Sequence, residues 1–115
     1  MPKKAFIIVR GDYEFSHLYA DAPDEVAYLR NLHRHMFNYE VQIEVYHDDR
    51  ELEFIMVKHE IESYLNNCKN LWLDTTSCEQ MAKFIGSHLR NLYGFERDLF
   101  VSVFEDNENG AKVIM

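Results

Sequence analysis

The stretch that decides the fold is His35–Tyr46, with the sequence HMFNYEVQIEVY. Its side chains alternate between apolar and polar, which is typical of a β-strand with one buried face. The apolar set is Phe37, Tyr39, Val41, Ile43 and Val45, and the polar set is Asn38, Glu40, Gln42 and Glu44. We therefore expect a half-buried strand here, with a turn after it at His47–Arg50.

A second strand is predicted on the N-terminal side of this stretch. Ala5–Leu18 opens with the apolar run Phe6–Val9 and then alternates, which indicates a strand that is bent or bulged at Gly11-Asp12. Asp21–Asn31 contains a proline and four charged residues, so we expect a loop with room for one helical turn.

Two helices are predicted on the C-terminal side, after a short apolar patch at Phe54–Val57. One apolar face recurs at steps of four, three and four residues, and consists of Ile61, Leu65, Cys68 and Trp72. The second helix is expected to begin with Thr76 as N-cap and Glu79 reaching back in a capping box, and to end at Gly94. Its apolar stripe is Met81, Ile85, His88, Leu89 and Leu92.

Two short strands complete the chain. Leu99–Glu105 and Ala111–Met115 flank a polar turn, Asp106–Gly110, that ends in the hairpin dipeptide Asn-Gly. The order strand, strand, helix, helix, strand, strand predicts an α+β domain with a four-stranded antiparallel sheet and two helices on one face. Such a sheet has two open edges, so we expect it to be extended across subunits.

Length and composition restrict the classes of partner and compartment to expect. The chain has 115 residues, and 12 Lys+Arg against 20 Asp+Glu give a net charge of −8. This length predicts a single domain, residues 1–115. An acidic chain without a basic stripe argues against nucleic acid or an anionic membrane as a partner. No apolar run is long enough to span a bilayer, and two cysteines make no disulfide framework, so we expect a cytoplasmic protein.

Three histidines are the candidate metal ligands. His33 and His35 are two residues apart at the start of the decisive strand, so their side chains point to the same face as Phe37. His17 has the matching parity near the end of the first strand. If the two strands pair, three imidazoles converge and leave a fourth zinc position open, as in catalytic zinc sites. The alternative is that each is an ordinary histidine at the edge of the core or on the surface.

These histidines lie in motifs that resemble a known family. Phe15-Ser16-His17 and Leu32-His33-Arg34-His35-Met36-Phe37 are similar to the zinc signature of 6-pyruvoyltetrahydropterin synthases and 6-carboxytetrahydropterin synthases. Further similar segments are Glu53-Phe54-Ile55-Met56-Val57 before the first helix, Ser77-Cys78-Glu79 at the start of the second, and Val103-Phe104-Glu105 at a strand end. The resemblance covers nearly the whole chain.

The resemblance implies the tunnelling fold, in which three subunits join their sheets into a barrel and two rings often stack into a hexamer. It assigns zinc to His17, His33 and His35, and the grip on the amino-pyrimidine edge of a pterin to Glu105. Ser77 and Cys78 fall where the family has small residues that contact the ligand. The implied activity is a zinc-dependent lyase that converts a dihydroneopterin triphosphate-like substrate into a 6-substituted tetrahydropterin, for biopterin or for deazaguanines such as queuosine.

The sequence departs from the family in the groups that move protons. The family has a cysteine four residues before the His-x-His pair, where this chain has Leu29. Glu25 is a candidate substitute for it. Asp74 matches the aspartate of the family's Asp-His pair, whereas Thr75 replaces the histidine. The candidates for binding phosphates are Lys3, Lys4, Arg10, Arg30 and Arg34.

Three hypotheses follow from this mixture of kept and lost residues. The chain is a divergent lyase with a rearranged acid–base set, a zinc- and pterin-binding protein without efficient turnover, or a metal-free oligomeric scaffold whose histidines serve packing. Metal content separates the third from the other two, and turnover separates the first from the second.

Overall fold

A computed structural model describes residues 3–68 and 76–115. They form an α+β fold with a four-stranded antiparallel sheet and three helices, which confirms the predicted class and sheet. In chain order the elements are β1 (Ala5–His17), a 3-10 helix (Asp24–Arg30), β2 (His33–Val45), α1 (Phe54–Cys68), α2 (Cys78–Tyr93), β3 (Leu99–Glu105) and β4 (Asn109–Ile114). None of the helices in these residues is both long and apolar enough to cross a membrane.

The strands are ordered β1-β2-β3-β4 in the sheet. β1 and β2 pair without interruption from Ala5 opposite Val45 to His17 opposite His33, so the bulge predicted at Gly11-Asp12 is absent from β1. Gly11 serves a different purpose: it lies opposite Tyr39, and a Cβ atom there would collide with the tyrosine ring. A glycine is therefore needed here for the close approach of the Tyr39 ring.

The core lies between one face of the sheet and the two α-helices. Phe37, Tyr39, Val41 and Ile43 of β2 are fully buried on this face, as their alternation predicted. They join one apolar cluster with residues of α1 and α2, among them Val57, Ile61, Leu65, Met81, Ile85 and Leu89. Burying a large apolar side chain contributes about 1.5–3 kcal/mol, so this face fixes the register of the strands that carry the histidines.

The helix boundaries differ from the predicted ones at two places. The apolar patch Phe54–Val57 is the first turn of α1 and not a separate segment. The N-cap of α2 is Ser77 and not Thr76. The Ser77 hydroxyl accepts a hydrogen bond from the Gln80 N–H, and the Gln80 side-chain oxygen accepts one from the Ser77 N–H. The capping box is thus shifted by one residue. The predicted stop at Gly94 is confirmed.

Candidate metal centre and its cavity

Pairing of the strands brings the three histidines together at one end of the sheet. His17 is directly opposite His33, and His35 is the next residue on the same face of β2. The ring centroids are 4.5 Å apart for His17 and His33, 4.9 Å for His33 and His35, and 5.4 Å for His17 and His35. One ligand nitrogen from each ring lies within 4.8 Å of the others, a spacing suited to a shared metal ion.

Each ring is held through its Nδ1 atom by an oxygen. The acceptor is the Thr76 carbonyl for His17 at 3.0 Å and the Asn31 carbonyl for His33 at 2.8 Å. Carbonyl oxygens only accept hydrogen bonds, so each Nδ1 carries a proton, and in the neutral ring the lone pair is then on Nε2. Orientation of a histidine by a partner on its second nitrogen is the usual arrangement around protein-bound metals.

The third ring is held by a side chain. His35 Nδ1 lies 2.6 Å from Asp106 Oδ2, and the other oxygen of Asp106 accepts a hydrogen bond from the Met36 N–H at 3.0 Å. The pKa of the Asp106 carboxyl is lowered, first by the His35 hydrogen bond and then by the Met36 N–H. Asp106 therefore acts as an ionised acceptor for the ring.

The Nε2 atoms of His17 and His35 lie near a carboxylate. Glu105 Oε1 lies 3.4 Å from His17 Nε2, and Glu105 Oε2 lies 3.7 Å from His35 Nε2, which is buried without a hydrogen-bond partner. Burial lowers the pKa of His17, although the hydrogen bond to the Thr76 carbonyl acts to raise it. The lowered pKa favours the neutral ring, which is the form that binds a metal. Lone pairs and a carboxylate that converge in this way suit a cation, so the donor set fits zinc.

A cavity of about 530 Å³ opens beside this cluster. It is lined by His17 and His33 together with Ser77, Cys78 and Glu105, so two of the three predicted metal ligands and the predicted substrate-binding residues share one cavity. Its volume is in the range of small-molecule sites.

Cys78 lies at the start of α2, with its sulfur 4.0 Å from Glu105 Oε1. Burial raises the pKa of its thiol to about 12, assisted by the charges of Glu105 and Glu79. At neutral pH Cys78 is therefore a neutral thiol that faces Glu105 and not a thiolate base. The neighbouring Ser77 hydroxyl caps α2, so it is committed to the helix.

The candidate proton-transfer residues are not gathered here. Leu29, for which the sequence resemblance predicts a missing cysteine, lines the cavity. Glu25 lies exposed in the 3-10 helix and is not among the residues that line the cavity. Asp74 lies outside the described residues.

The candidate phosphate-binding residues are also elsewhere. Arg10 pairs with Glu40, Arg30 with Asp24, Arg34 with Glu14, and Lys4 with Asp98. Within residues 3–68 and 76–115, no lysine or arginine lines the cavity. Its ionisable lining includes the two acids Glu79 and Glu105, so the described wall favours a neutral or amino-bearing ligand group.

Sequence reasoning missed Asp106 and the two carbonyls that hold His17 and His33. Main-chain acceptors leave no trace in side-chain patterns. In the sequence Asp106 is only the first residue of a polar turn; it lies beside β2 because the preceding residue, Glu105, pairs with Phe37, and its backbone is left-handed, with φ of 51°. Aspartate tolerates that conformation better than most residues, and this was the one available signal.

In comparisons with known proteins, no family model and no curated protein matches this sequence.

Proposed function

We propose that this chain is a zinc-dependent lyase of the 6-pyruvoyl/6-carboxytetrahydropterin synthase type, which acts on a pterin-like substrate. The observation that supports it most is the convergence of three histidine nitrogens within 4.8 Å, beside a cavity that also holds Glu105. Three neutral histidines leave a coordination place for the substrate, which is the pattern of catalytic zinc.

Zinc held by His17, His33 and His35 would supply Lewis acidity, which lowers the pKa of a coordinated hydroxyl. Glu105 is suited to the opposite end of the substrate, since a carboxylate accepts two parallel N–H bonds from an amino-pyrimidine edge. The Cys78 thiol, 4.0 Å from Glu105, is a further donor that can hold this carboxylate in place.

The proposal includes assembly. We infer the tunnelling fold, with its ββααββ arrangement and with sheets joined into a trimeric or hexameric barrel, from the resemblance of the motifs. Two features agree with it: β1 and β4 are the open edges of the sheet, and the helix-free face carries the exposed apolar side chains Ile8, Met36 and Ile114. A neighbouring subunit would also supply the cations for the substrate's phosphates that the described cavity wall lacks.

A second candidate, binding of zinc and a pterin without efficient turnover, is favoured by Leu29. An apolar side chain stands in the cavity where the family has a thiol, and Glu25 lies outside the cavity of its own chain. Glu25 and Asp74 remain predictions as proton-transfer groups, and a subunit interface is where they would have to act.

Metal analysis of the purified chain tests the site, and turnover tests the reaction. We expect about one zinc per chain, lost in His35→Ala and kept in His59→Ala, since His59 is exposed on α1. Absence of zinc from the wild type would overturn both candidates and leave the metal-free scaffold. With zinc present, formation of a 6-substituted tetrahydropterin from dihydroneopterin triphosphate supports the lyase.

Zinc and pterin binding without any product would instead sink the lyase and support the binding protein. Glu105→Gln sharpens the test, because it should weaken pterin binding while zinc stays bound. Zinc loss in Glu105→Gln would show that Glu105 is a metal ligand and not a pterin anchor.

Leu29→Cys separates the two candidates directly. A thiol restored to the cavity should raise turnover by about 10²-fold if its absence limits the reaction, which is the usual scale of acid–base catalysis. The matched control is Leu32→Cys, because Leu32 is 59% exposed and is not a lining residue. If turnover rises in Leu29→Cys and not in Leu32→Cys, the wild type is a binding protein that lacks the thiol needed for efficient turnover. If the wild type is active and Leu29→Cys raises turnover no further, the wild type is a lyase with a rearranged acid–base set.

A further inference from the structure

Asp106 connects the turn between β3 and β4 to the start of β2. Its N–H donates to the Met36 carbonyl at 2.7 Å, and its Oδ1 accepts from the Met36 N–H at 3.0 Å. Its second oxygen, Oδ2, lies 2.6 Å from His35 Nδ1. Both oxygens of one carboxylate are thus used as acceptors, one for the main chain and one for the ring.

This arrangement leaves His35 a single tautomer. Because both carboxylate oxygens accept, Nδ1 of His35 must be the donor, and in the neutral ring the lone pair that can bind a metal is then on Nε2. His17 and His33 are held by main-chain carbonyls, which no substitution of the acceptor residue removes. His35 is therefore the ring whose orientation depends on a replaceable side chain.

We propose that Asp106 is a positioning residue, which fixes the tautomer and orientation of His35 and thereby sets the zinc affinity of the site. The zinc part of this inference rests on the proposed function, whereas the tautomer part holds for the metal-free protein. Carboxylate partners of metal-bound histidines change metal affinity by about 10–100-fold when they are removed, so the expected effect is measurable.

The test is Asp106→Asn, which keeps the shape and tolerates the left-handed backbone of this turn. An amide has one acceptor oxygen, so either His35 or Met36 meets an NH₂ donor in place of an acceptor. We expect zinc affinity, measured by competition with a chelator, to fall about 10–100-fold. In the metal-free variant, ¹⁵N NMR should show His35 moving from the Nδ1–H tautomer towards a mixture of both.

The matched control is Asp12→Asn. This substitution removes the same charge as Asp106→Asn. Asp12, however, accepts a hydrogen bond from Asn38 at 2.7 Å and contacts no histidine. Its zinc affinity and the His35 tautomer should equal those of the wild type. Zinc affinity of Asp106→Asn within about threefold of the control, with an unchanged tautomer, would overturn the proposal.

Two readouts keep this test independent of folding and of the proposed function. If Asp106→Asn is unstable, Asp106→Gly removes the side chain while accepting positive φ, and the same loss of affinity is expected. If the wild type binds no zinc, the metal centre fails, but an Nδ1–H tautomer of His35 that is lost in Asp106→Asn still supports the positioning role. An Nε2–H tautomer in the wild type contradicts it.

Discussion

At the end of the sheet where β1 begins, Arg97 has a partner for each part of its guanidinium. It donates to the carbonyls of Tyr93 and Glu44, both at 3.0 Å, and to Glu51 Oε2 at 2.8 Å, and it lies over the Tyr46 ring at 4.6 Å. At the other end, the three histidines use only their Nδ1 atoms for such bonds. The Nε2 atoms of His17 and His35 lie near the Glu105 carboxylate instead.

The difference separates a network that stabilises the fold from one that is suited to a ligand. Charges at the Arg97 end are matched within the chain, so nothing further needs to bind there. At the histidine end, a buried nitrogen without a hydrogen-bond partner and a nearby carboxylate carry a cost that a cation would remove. Mutations at the histidine end should therefore change zinc binding, whereas mutations at the Arg97 end should change stability without changing zinc binding.

The largest expected effect is stabilisation by zinc at the histidine end. A ligand that binds only the folded state at about 1000-fold above its Kd adds about 4 kcal/mol to the free energy of unfolding. We expect this gain in the wild type and in His59→Ala, and its loss in His33→Ala, by thermal unfolding with and without zinc. Equal zinc-dependent shifts in all three proteins would place the metal elsewhere.

Arg97→Ala should lower the stability of the fold without affecting zinc binding. It removes two bonds to carbonyls and leaves Glu51 without its cation, which we expect to cost about 2–3 kcal/mol in urea unfolding. Zinc stoichiometry should not change, because Arg97 lies at the opposite end of the sheet. Loss of zinc in a folded Arg97→Ala protein would show that the two ends are coupled.

Glu51 makes the Arg97 end sensitive to acid. The Arg97 hydrogen bond, with the Tyr46 N–H, lowers the pKa of Glu51 from 4.5 to about 2. A lowered carboxyl pKa means that the stabilisation is complete above pH 4.5 and is lost as the pH falls towards 2. Glu51→Gln should therefore be less stable than the wild type by about 1 kcal/mol at pH 7, and the difference should vanish near pH 2. A difference that is constant with pH would contradict this assignment.

The sequence was a good guide where a repeating pattern carries the structure. Alternation in His35–Tyr46 predicted the buried face of β2, and the shared parity of His17, His33 and His35 predicted their convergence. It failed where single hydrogen bonds decide. The acceptor for each Nδ1 atom depends on tertiary pairing. Similarly, Gly11 in the sequence indicates a bend or bulge, because only the opposite strand reveals the ring of Tyr39.

The N-terminus of α2 is the place where stability and the candidate site meet, and it gives the smallest expected effect. The Ser77 hydroxyl caps the helix although Ser77 also lines the cavity, so Ser77→Ala should cost about 1 kcal/mol. Thr76→Ala is the matched control, since Thr76 contributes its carbonyl to His17 and the carbonyl survives the substitution. Urea unfolding should show the loss for Ser77→Ala alone, with zinc retained by both. A greater loss of stability in Thr76→Ala would show that Thr76 is the N-cap. Zinc loss in Ser77→Ala would show that the cap is also needed to hold the Thr76 carbonyl at the His17 ring.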